Sequence, residues 1–432
     1  MTTLKNPPEV PALAYFGLFL VFFFSCWIAI QFYLAARWAQ SISRAHCYIP
    51  FIALITLFEW HRQWFCCGYN FYTVSSVLLM HPLTMRIFSY VGVFGATFLF
   101  LLATLPPLFS PKQVHSYLGS ILFFGLLLIP SAAKKGGDAT IGVFQTYLDP
   151  WGEDLDDYTA SFEKILKNIE GVDCLVLSET SIPGKYFNHF PDNDLDQRSA
   201  DSLRIEKALL NASYFKKMDI LVGHIHPLGN NQFHNSVSLI HNGQVVGRND
   251  KMRLLSVMES RWSFLPQVVL DAIDSGDFIA GRKKEALEGK FQYGVHICYD
   301  DYFGEECHSL AKQPIDLFVS LHNDIWVSSP SFKQNHFNQS LLRAVEGGIP
   351  IVRGANGGFC GYALHSGEYK IVEQTSGLHI FKVPLDRQFT LYPYLKDRFI
   401  IGVCFICILC YLRGGKSSIL PRVEEEVDEN AP

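Results

Sequence analysis

Gly294–Val295–His296–Ile297–Cys298–Tyr299–Asp300–Asp301 is the stretch whose reading decides the fold. It predicts a buried strand over Phe291–Ile297 that stops at a cysteine and leads into a helix from about Phe303 to Ala311. A thiol between a strand end and a helix N-terminus sits in positive backbone potential, which favours the thiolate. Alone, the stretch reads first as a core cysteine and second as a nucleophile, because free Cys is among the most buried residue types.

Working outward, strand and helix patterns alternate on both sides. Strands are expected at Ala139–Gln145, Cys174–Leu177, Asp219–Ile225, Ile315–Leu321 and Ile349–Arg353. Helices are expected at Leu155–Ile169, Ser202–Lys217 and Phe332–Glu346, and a hairpin at His241–Asn242–Gly243. Short strands with turns at Asn356–Gly357–Gly358 and Ser366–Gly367–Glu368 close this part. Such alternation predicts an α/β layered fold over residues 139–390.

The flanks differ in composition. The chain has 432 residues, 49% of them hydrophobic, with 35 Phe and 19 Tyr. Most of the long apolar runs precede Pro130. Ala12–Trp38 reads as a retained membrane helix, too long for a signal-peptide core and without a small-residue cleavage site. Met85–Leu105 and Tyr117–Ile129 are further spans; Tyr48–Phe65 and Tyr69–Met80 read as one helix plus a partly inserted segment, or as two helices. The expectation is four or five spans over residues 1–133, a linker at 134–138, and a last span over 391–413. Arg413, Lys416 and Arg422 follow that span, so the C-terminus is expected in the cytoplasm and the 139–390 domain on the outer face. Residues 414–432 read as a disordered acidic tail. Glu59–Trp60–His61–Arg62 is either a Glu–Arg pair at a helix end or a polar mouth for lipid headgroups.

Net charge is −5, which argues against a nucleic-acid surface. The 11 cysteines are irregularly spaced in a large chain and make no disulfide framework. Cys404, Cys407 and Cys410 share a helical face and read as packing residues. No nucleotide loop is present, and neither cofactor nor metal is expected. His224 and His226 alternate on a strand without a third ligand at plausible spacing; His322 reads as packing or hydrogen bonding. Trp326, Phe332 and Phe337 fit an acyl groove or the core equally.

Three strand ends carry reactive groups: Glu179 after Cys174–Ser178, Lys251 after the hairpin, and Cys298. A carboxylate can take a thiol proton, an ammonium can hold an oxyanion, and a thiolate can attack a carbonyl. In this order and setting they resemble the nitrilase (carbon–nitrogen hydrolase) superfamily. The matching pieces are Leu177–Ser178–Glu179–Thr180–Ser181–Ile182–Pro183, Lys251 with Glu259 eight positions on, and Ile297–Cys298–Tyr299–Asp300. Asn323–Asp324–Ile325–Trp326, Leu342–Arg343–Ala344–Val345–Glu346, Arg353 and Asn356–Gly357–Gly358 look most like its membrane branch, the apolipoprotein N-acyltransferases. So do Glu59–Trp60–His61–Arg62 and Tyr90–Val91–Gly92–Val93–Phe94–Gly95.

The resemblance implies a nitrilase-type α-β-β-α sandwich fused to a multi-span helical membrane domain in a bacterial inner membrane. It implies Glu179 as base, Lys251 as oxyanion holder and Cys298 as nucleophile, with Glu259 orienting Lys251 or the base. A backbone N–H near Tyr299 would support the oxyanion. The implied reaction moves an acyl chain from phospholipid through a cysteine thioester to the N-terminal amine of a diacylglyceryl-cysteine lipoprotein. Alternatives are a membrane-anchored amidase of the same fold, or a specialised nitrilase-like relative of conjugative-transfer systems. Against the family pattern, the membrane part is shorter, Ser256–Val257–Met258–Glu259 replaces Pro-Phe-Gly-Glu, Arg253 replaces His, and Asp300 stands where the acyltransferases carry Glu.

Overall fold

The computed structural model describes residues 11–42, 48–65, 72–130, 133–145, 155–182, 200–230, 232–255, 259, 277–325, 327, 329–372 and 376–414. Two sheets lie at its centre. One orders its strands Gly377–Pro384, Asp138–Gln145, Cys174–Val176, Asp219–Gly229, Gln232–His241 and Gln244–Asp250, with Asp277–Phe278 beside Gln232–Phe233. The other runs Tyr369–Ile371, Gly361–Ala363, Ile351–Asn356, Leu317–Asn323, Gln292–Ile297 and Leu287–Glu288. The middle strands of each sheet are parallel (Asp138–Gln145 to Cys174–Val176 to Asp219–Gly229, and Gln292–Ile297 to Leu317–Asn323 to Ile351–Asn356). They read as near-continuous apolar runs because both of their faces are covered.

Three apolar clusters account for the layers. Ile141, Val176, Leu221, Val237, Val295, Val319 and Val352 meet between the sheets. The outer face of the first sheet packs on helices Leu155–Asn168 and Ala200–Lys216 through Phe162, Ile205, Leu209 and Ile220. The outer face of the second meets helices Gly304–Ala311 and Pro330–Gly347 through Leu310, Phe318 and Leu341. The result is an α-β-β-α sandwich. At the predicted hairpin, Asn242 (φ 50°) and Gly243 (φ 74°) both take positive φ, the requirement of a tight type I′ turn.

The third cluster does not stop at the sandwich. It continues into Ile52, Ile87, Phe88, Phe94, Phe98 and Phe123 of the N-terminal helices and Ile400 and Cys404 of the last helix. Helices Tyr48–His61, Pro82–Phe109, Leu118–Leu128 and Tyr392–Gly414 therefore share one apolar interior with the α/β layers. Gly92 marks the joint. Its φ of 66° breaks the helix Pro82–Phe109, and a Cβ there would come within 2.1 Å of the Tyr392 ring. Leu391 N also donates to Ser89 O (2.9 Å).

Among the described residues, two helices are long and apolar enough to cross a membrane by length and composition, within Phe22–Ser41 and Pro82–Phe109. Tyr48–His61 and Val114–Leu128 are shorter apolar helices. Of the two readings of Tyr69–Met80, a second crossing helix is corrected: Val74–Met80 is a seven-residue 3-10 helix, too short to cross. The last helix, Tyr392–Gly414, is interrupted at Lys396 (φ 54°), which leaves Lys396, Asp397 and Arg398 at its foot. Of the three cysteines on that helix, only Cys404 is buried; Cys410 is exposed, so packing does not account for it. All eight described cysteines are free thiols. Of the stretch read as a linker, Lys134 belongs to the short strand Ala133–Lys134, paired with Arg387–Gln388. The acidic tail lies outside the described residues.

Glu59 and Arg62 form a buried pair (3.1 Å), and Glu59 also accepts from Val74 N (2.8 Å) and Thr97 Oγ1 (2.7 Å). The carboxylate thus pins the Val74–Met80 turn to the helix Pro82–Phe109, in line with the Glu–Arg pair reading.

Candidate active site

The C-terminal ends of the parallel strands converge on one group of buried polar side chains. Lys251 is its hub, 1% exposed. Its ammonium donates to Glu179 Oε1 (3.2 Å) and Glu259 Oε1 (2.9 Å). Asn235 Nδ2 bridges the same two carboxylates, donating to Glu179 Oε1 (2.7 Å) and Glu259 Oε1 (3.1 Å). The remaining oxygens accept backbone N–H groups, Glu179 Oε2 from Asn323 (2.9 Å) and Glu259 Oε2 from Leu255 (2.7 Å). Burial works against the Lys251 ammonium, but Cys298, Glu179 and Glu259 outweigh it and hold its pKa well above the ordinary lysine value.

Cys298 begins a tight 3-10 turn, Cys298–Tyr302, and the expected helix follows it at Gly304–Ala311. Its φ of 49° lies in the left-handed region, a strained conformation for a non-glycine residue and one that clusters at functional sites. The expected lowering of the thiol pKa is not what the structure has. Burial, then the Glu179 carboxylate, push it well up, while Lys251 pulls the other way. The sulfur lies in the field of a carboxylate and an ammonium that act in opposite directions.

Asp300 is a clamp. One oxygen accepts from Met252 N (3.1 Å) and Arg253 N (2.8 Å), and the other from Ile297 N (3.1 Å) and the Lys284 ammonium. It thereby ties the segment after Lys251 to the turn that carries Cys298. The Tyr299 ring packs on Tyr302 and Phe303 (centroids 5.3 Å for each). Arg253 lies over Phe303 (4.9 Å) and Trp64 (5.2 Å), reaching from the site to the end of the second helix.

Beneath the turn lies a second network. Asp301 meets His296 (2.9 Å), Ser320 (2.7 Å) and His322 (3.1 Å). Asp324 meets His336 (2.9 Å) and Arg353 (2.7 Å), and Arg353 Nη1 lies 2.6 Å from His322 Nε2. Burial opposes the charge on Asp301 and Asp324, but these partners prevail and keep both carboxyls below the usual range.

Sequence reasoning named Glu179, Lys251, Cys298, Glu259 and Asp300, and the structure brings them together. It missed Asn235 and Lys284. The signal for Asn235 is its place in Asn235-Ser236-Val237-Ser238, a strand with polar residues on both faces, all of them buried. His224 and His226 do not form a ligand pair: His224 Nε2 bonds Ser238 Oγ (2.8 Å). Burial lowers their pKa values to about 3 and about 4. Phe337 is core, 1% exposed; Phe332 lies 5.9 Å from the His336 ring; Trp326 is outside the described residues.

The sandwich carries a cysteine, a glutamate and a lysine at its strand ends, and the chain belongs to the carbon-nitrogen hydrolase family, which it matches over residues 140–376. Among curated proteins it is similar to the apolipoprotein N-acyltransferase of Allorhizobium ampelinum, 26% identical over 75% of this chain and 64% of that protein, so it spans less than two thirds of that relative's length. It is 22% identical to apolipoprotein N-acyltransferase 1 of Treponema denticola over 80% of this chain and 74% of that one. Among solved structures it is similar to an amidase from Nesterenkonia sp., at 18% identity and a TM-score of 0.44, covering 63% of this chain and 98% of that one.

Proposed function

We propose that the chain is a multi-pass membrane N-acyltransferase of the apolipoprotein N-acyltransferase type, with Glu179, Lys251 and Cys298 as its catalytic residues. The observation that carries the reading is the buried Glu179–Lys251–Glu259 cluster acting on the Cys298 thiol, in an α/β unit whose core runs on into apolar helices.

Glu179 accepts the thiol proton as Cys298 Sγ attacks the ester carbonyl of a phospholipid. Lys251 neutralises the oxyanion, and Glu259 and Asn235 hold Lys251 and Glu179 in place. The ester C–O bond breaks, Glu179 returns the proton to the departing lysophospholipid oxygen, and an acyl thioester remains. The α-amine of a diacylglyceryl-cysteine then attacks that thioester, an amide forms, and the proton lost by the amine restores the thiol. Burial and the Glu179 charge disfavour the free thiolate, which is why this reading gives the first step a base. Asp300 and Lys284 keep the loop after Lys251 against the nucleophile turn. An open cleft of about 540 Å³, lined by Leu79 and Phe359 together with polar residues such as Ser76, Gln334, Asn335 and Asn338, lies where the helical part meets the α/β layers. The catalytic unit would face the outer side of a bacterial inner membrane.

The test is to incubate the detergent-purified protein with labelled phospholipid and look by mass spectrometry for an acyl group on Cys298. A thioester that decays on adding a diacylated lipopeptide supports the reading. Turnover of small amides without labelling replaces it with the amidase alternative.

A further inference from the structure

The cleft between the helical part and the α/β layers has an uncharged, hydrogen-bonding wall. Helix Pro330–Gly347 gives it Gln334, Asn335 and Asn338, and the segment between helices Tyr48–His61 and Pro82–Phe109 gives it Ser76. Positions three and four apart share one helix face, so the three amides form a ladder. Gln334 Nε2 donates to Asn338 Oδ1 (3.0 Å). That bond leaves the Gln334 carbonyl oxygen and the Asn338 amino group without a partner among the described residues. Turning both amides over still leaves one acceptor and one donor. An acceptor beside a donor complements a peptide group, which offers one N–H and one C=O.

Other occupants fit less well. No side chain lining the cleft is charged, so none there neutralises a phosphate. Lys333, on the same helix, is buried and donates to Gly357 O. Leu79 and Phe359 supply apolar surface, but five of the nine lining residues are Ser, Asn or Gln, which an acyl chain would desolvate without replacing their hydrogen bonds.

The position points the same way. Asn335 Nδ2 donates to Tyr302 Oη (3.4 Å), and Tyr302 closes the turn that Cys298 begins. The cleft therefore starts one side chain from the nucleophile turn. Its opposite wall joins two apolar helices and carries the exposed Val77 and Met80, as a segment at a lipid boundary would. An acceptor anchored by its acyl chains must bring its amine to the thioester there, and its polypeptide must leave beside the nucleophile.

We propose that this cleft is a peptide subsite, which binds the main chain of the first residues after the acceptor's lipidated N-terminal cysteine, with Gln334 and Asn338 pairing to a peptide group. The assignment rests on the acyl-transfer reading and adds the path of the acceptor's polypeptide. Contact through main-chain groups leaves side chains unread, so acceptors of many sequences are accepted.

The test uses the full chain in detergent with two acceptors, a diacylated lipopeptide of about five residues and diacylglyceryl-cysteine amide, which has no peptide beyond the reacting residue. Gln334→Leu/Asn338→Leu should raise the lipopeptide KM about 10–30-fold, the effect of losing two neutral hydrogen bonds. The KM of the peptide-free acceptor should stay within about threefold. Thioester formation from labelled phospholipid, read before any acceptor is added, and the melting curve serve as controls. A lipopeptide whose first two peptide bonds are replaced by esters should raise KM on the unaltered protein and much less on the variant, a comparison that stands even if the variant folds poorly. An unchanged lipopeptide KM in the variant, an equal rise for both acceptors, or no effect of the esters on the unaltered protein overturns the subsite. If the unaltered protein forms no thioester, the acyl-transfer reading falls. The subsite is then read by fluorescence anisotropy: labelled lipopeptide should bind about tenfold more tightly than its ester analogue, and equal binding overturns it.

Discussion

Two lysines are buried within one loop's reach of Cys298, and they are used differently. Lys284 faces a single carboxylate, Asp300, whose other bonds go to the backbone N–H groups of Ile297, Met252 and Arg253. Every charge there has a fixed partner, and the pair acts as a staple. Lys251 faces two carboxylates, Glu179 and Glu259, and also lies in the field of the thiol. That site holds one more negative group than positive, with a removable proton next to it on sulfur. Equal burial therefore gives rigidity in one place and proton-transfer capacity in the other. The surplus of acceptors makes the difference.

Four experiments break or sharpen that contrast. The largest effect belongs to Cys298→Ala, which should abolish acyl-thioester formation while leaving the melting curve close to wild type; surviving turnover would show that the sulfur is not the nucleophile. Next, Lys251→Met should lower the rate of thioester formation by about 10²–10³, the loss typical of one oxyanion-stabilising group. Single-turnover kinetics in detergent measure it, and a rate within threefold of wild type would assign Lys251 to the staple class.

Third, Lys284→Met should cost about 3–5 kcal/mol of stability by stranding Asp300, and the double variant Lys284→Met/Asp300→Leu should recover part of it. Thermal unfolding reads both, and activity per folded molecule should fall less than in Lys251→Met. The smallest effect is with acid. Asp301 and Asp324 have depressed folded pKa values, so their stabilisation is complete above the unfolded value of about 3.9 and is lost as pH falls through the folded values below it. Asp324→Asn should melt lower at pH 7 and show a flatter loss between pH 4 and 2.

The α/β layering was legible because strands such as Leu317–Asn323 are uninterrupted apolar runs bounded by turn residues. The site was legible where a reactive residue ends such a strand, as with Glu179 and Cys298. Asn235 and Lys284 were not. Asn235 reaches Glu179 across 56 positions through the pairing of Ile225 with Asn235, and no local pattern encodes that register. Lys284 sits in a charged segment that reads as a solvated loop until Asp300 folds over it. The thiol was misread for a related reason. A strand end before a helix suggests a stabilised thiolate, but burial and the Glu179 charge reverse the sign, and both come from tertiary contacts. The span count fell short at Tyr69–Met80 because apolar composition does not distinguish a crossing helix from a 3-10 turn pinned by Glu59.

The close approach of Tyr392 to Gly92 seats the final helix on the helix Pro82–Phe109, and the same ring meets His308 of the sandwich (4.1 Å). A side chain at position 92 would have to drive the Tyr392 ring from its seat, beside an apolar cluster to which Phe88, Phe318 and Leu341 all belong. An excised sandwich would carry that oily flank into water and aggregate. Solubility of the sandwich thus depends on the helices that share its apolar interior.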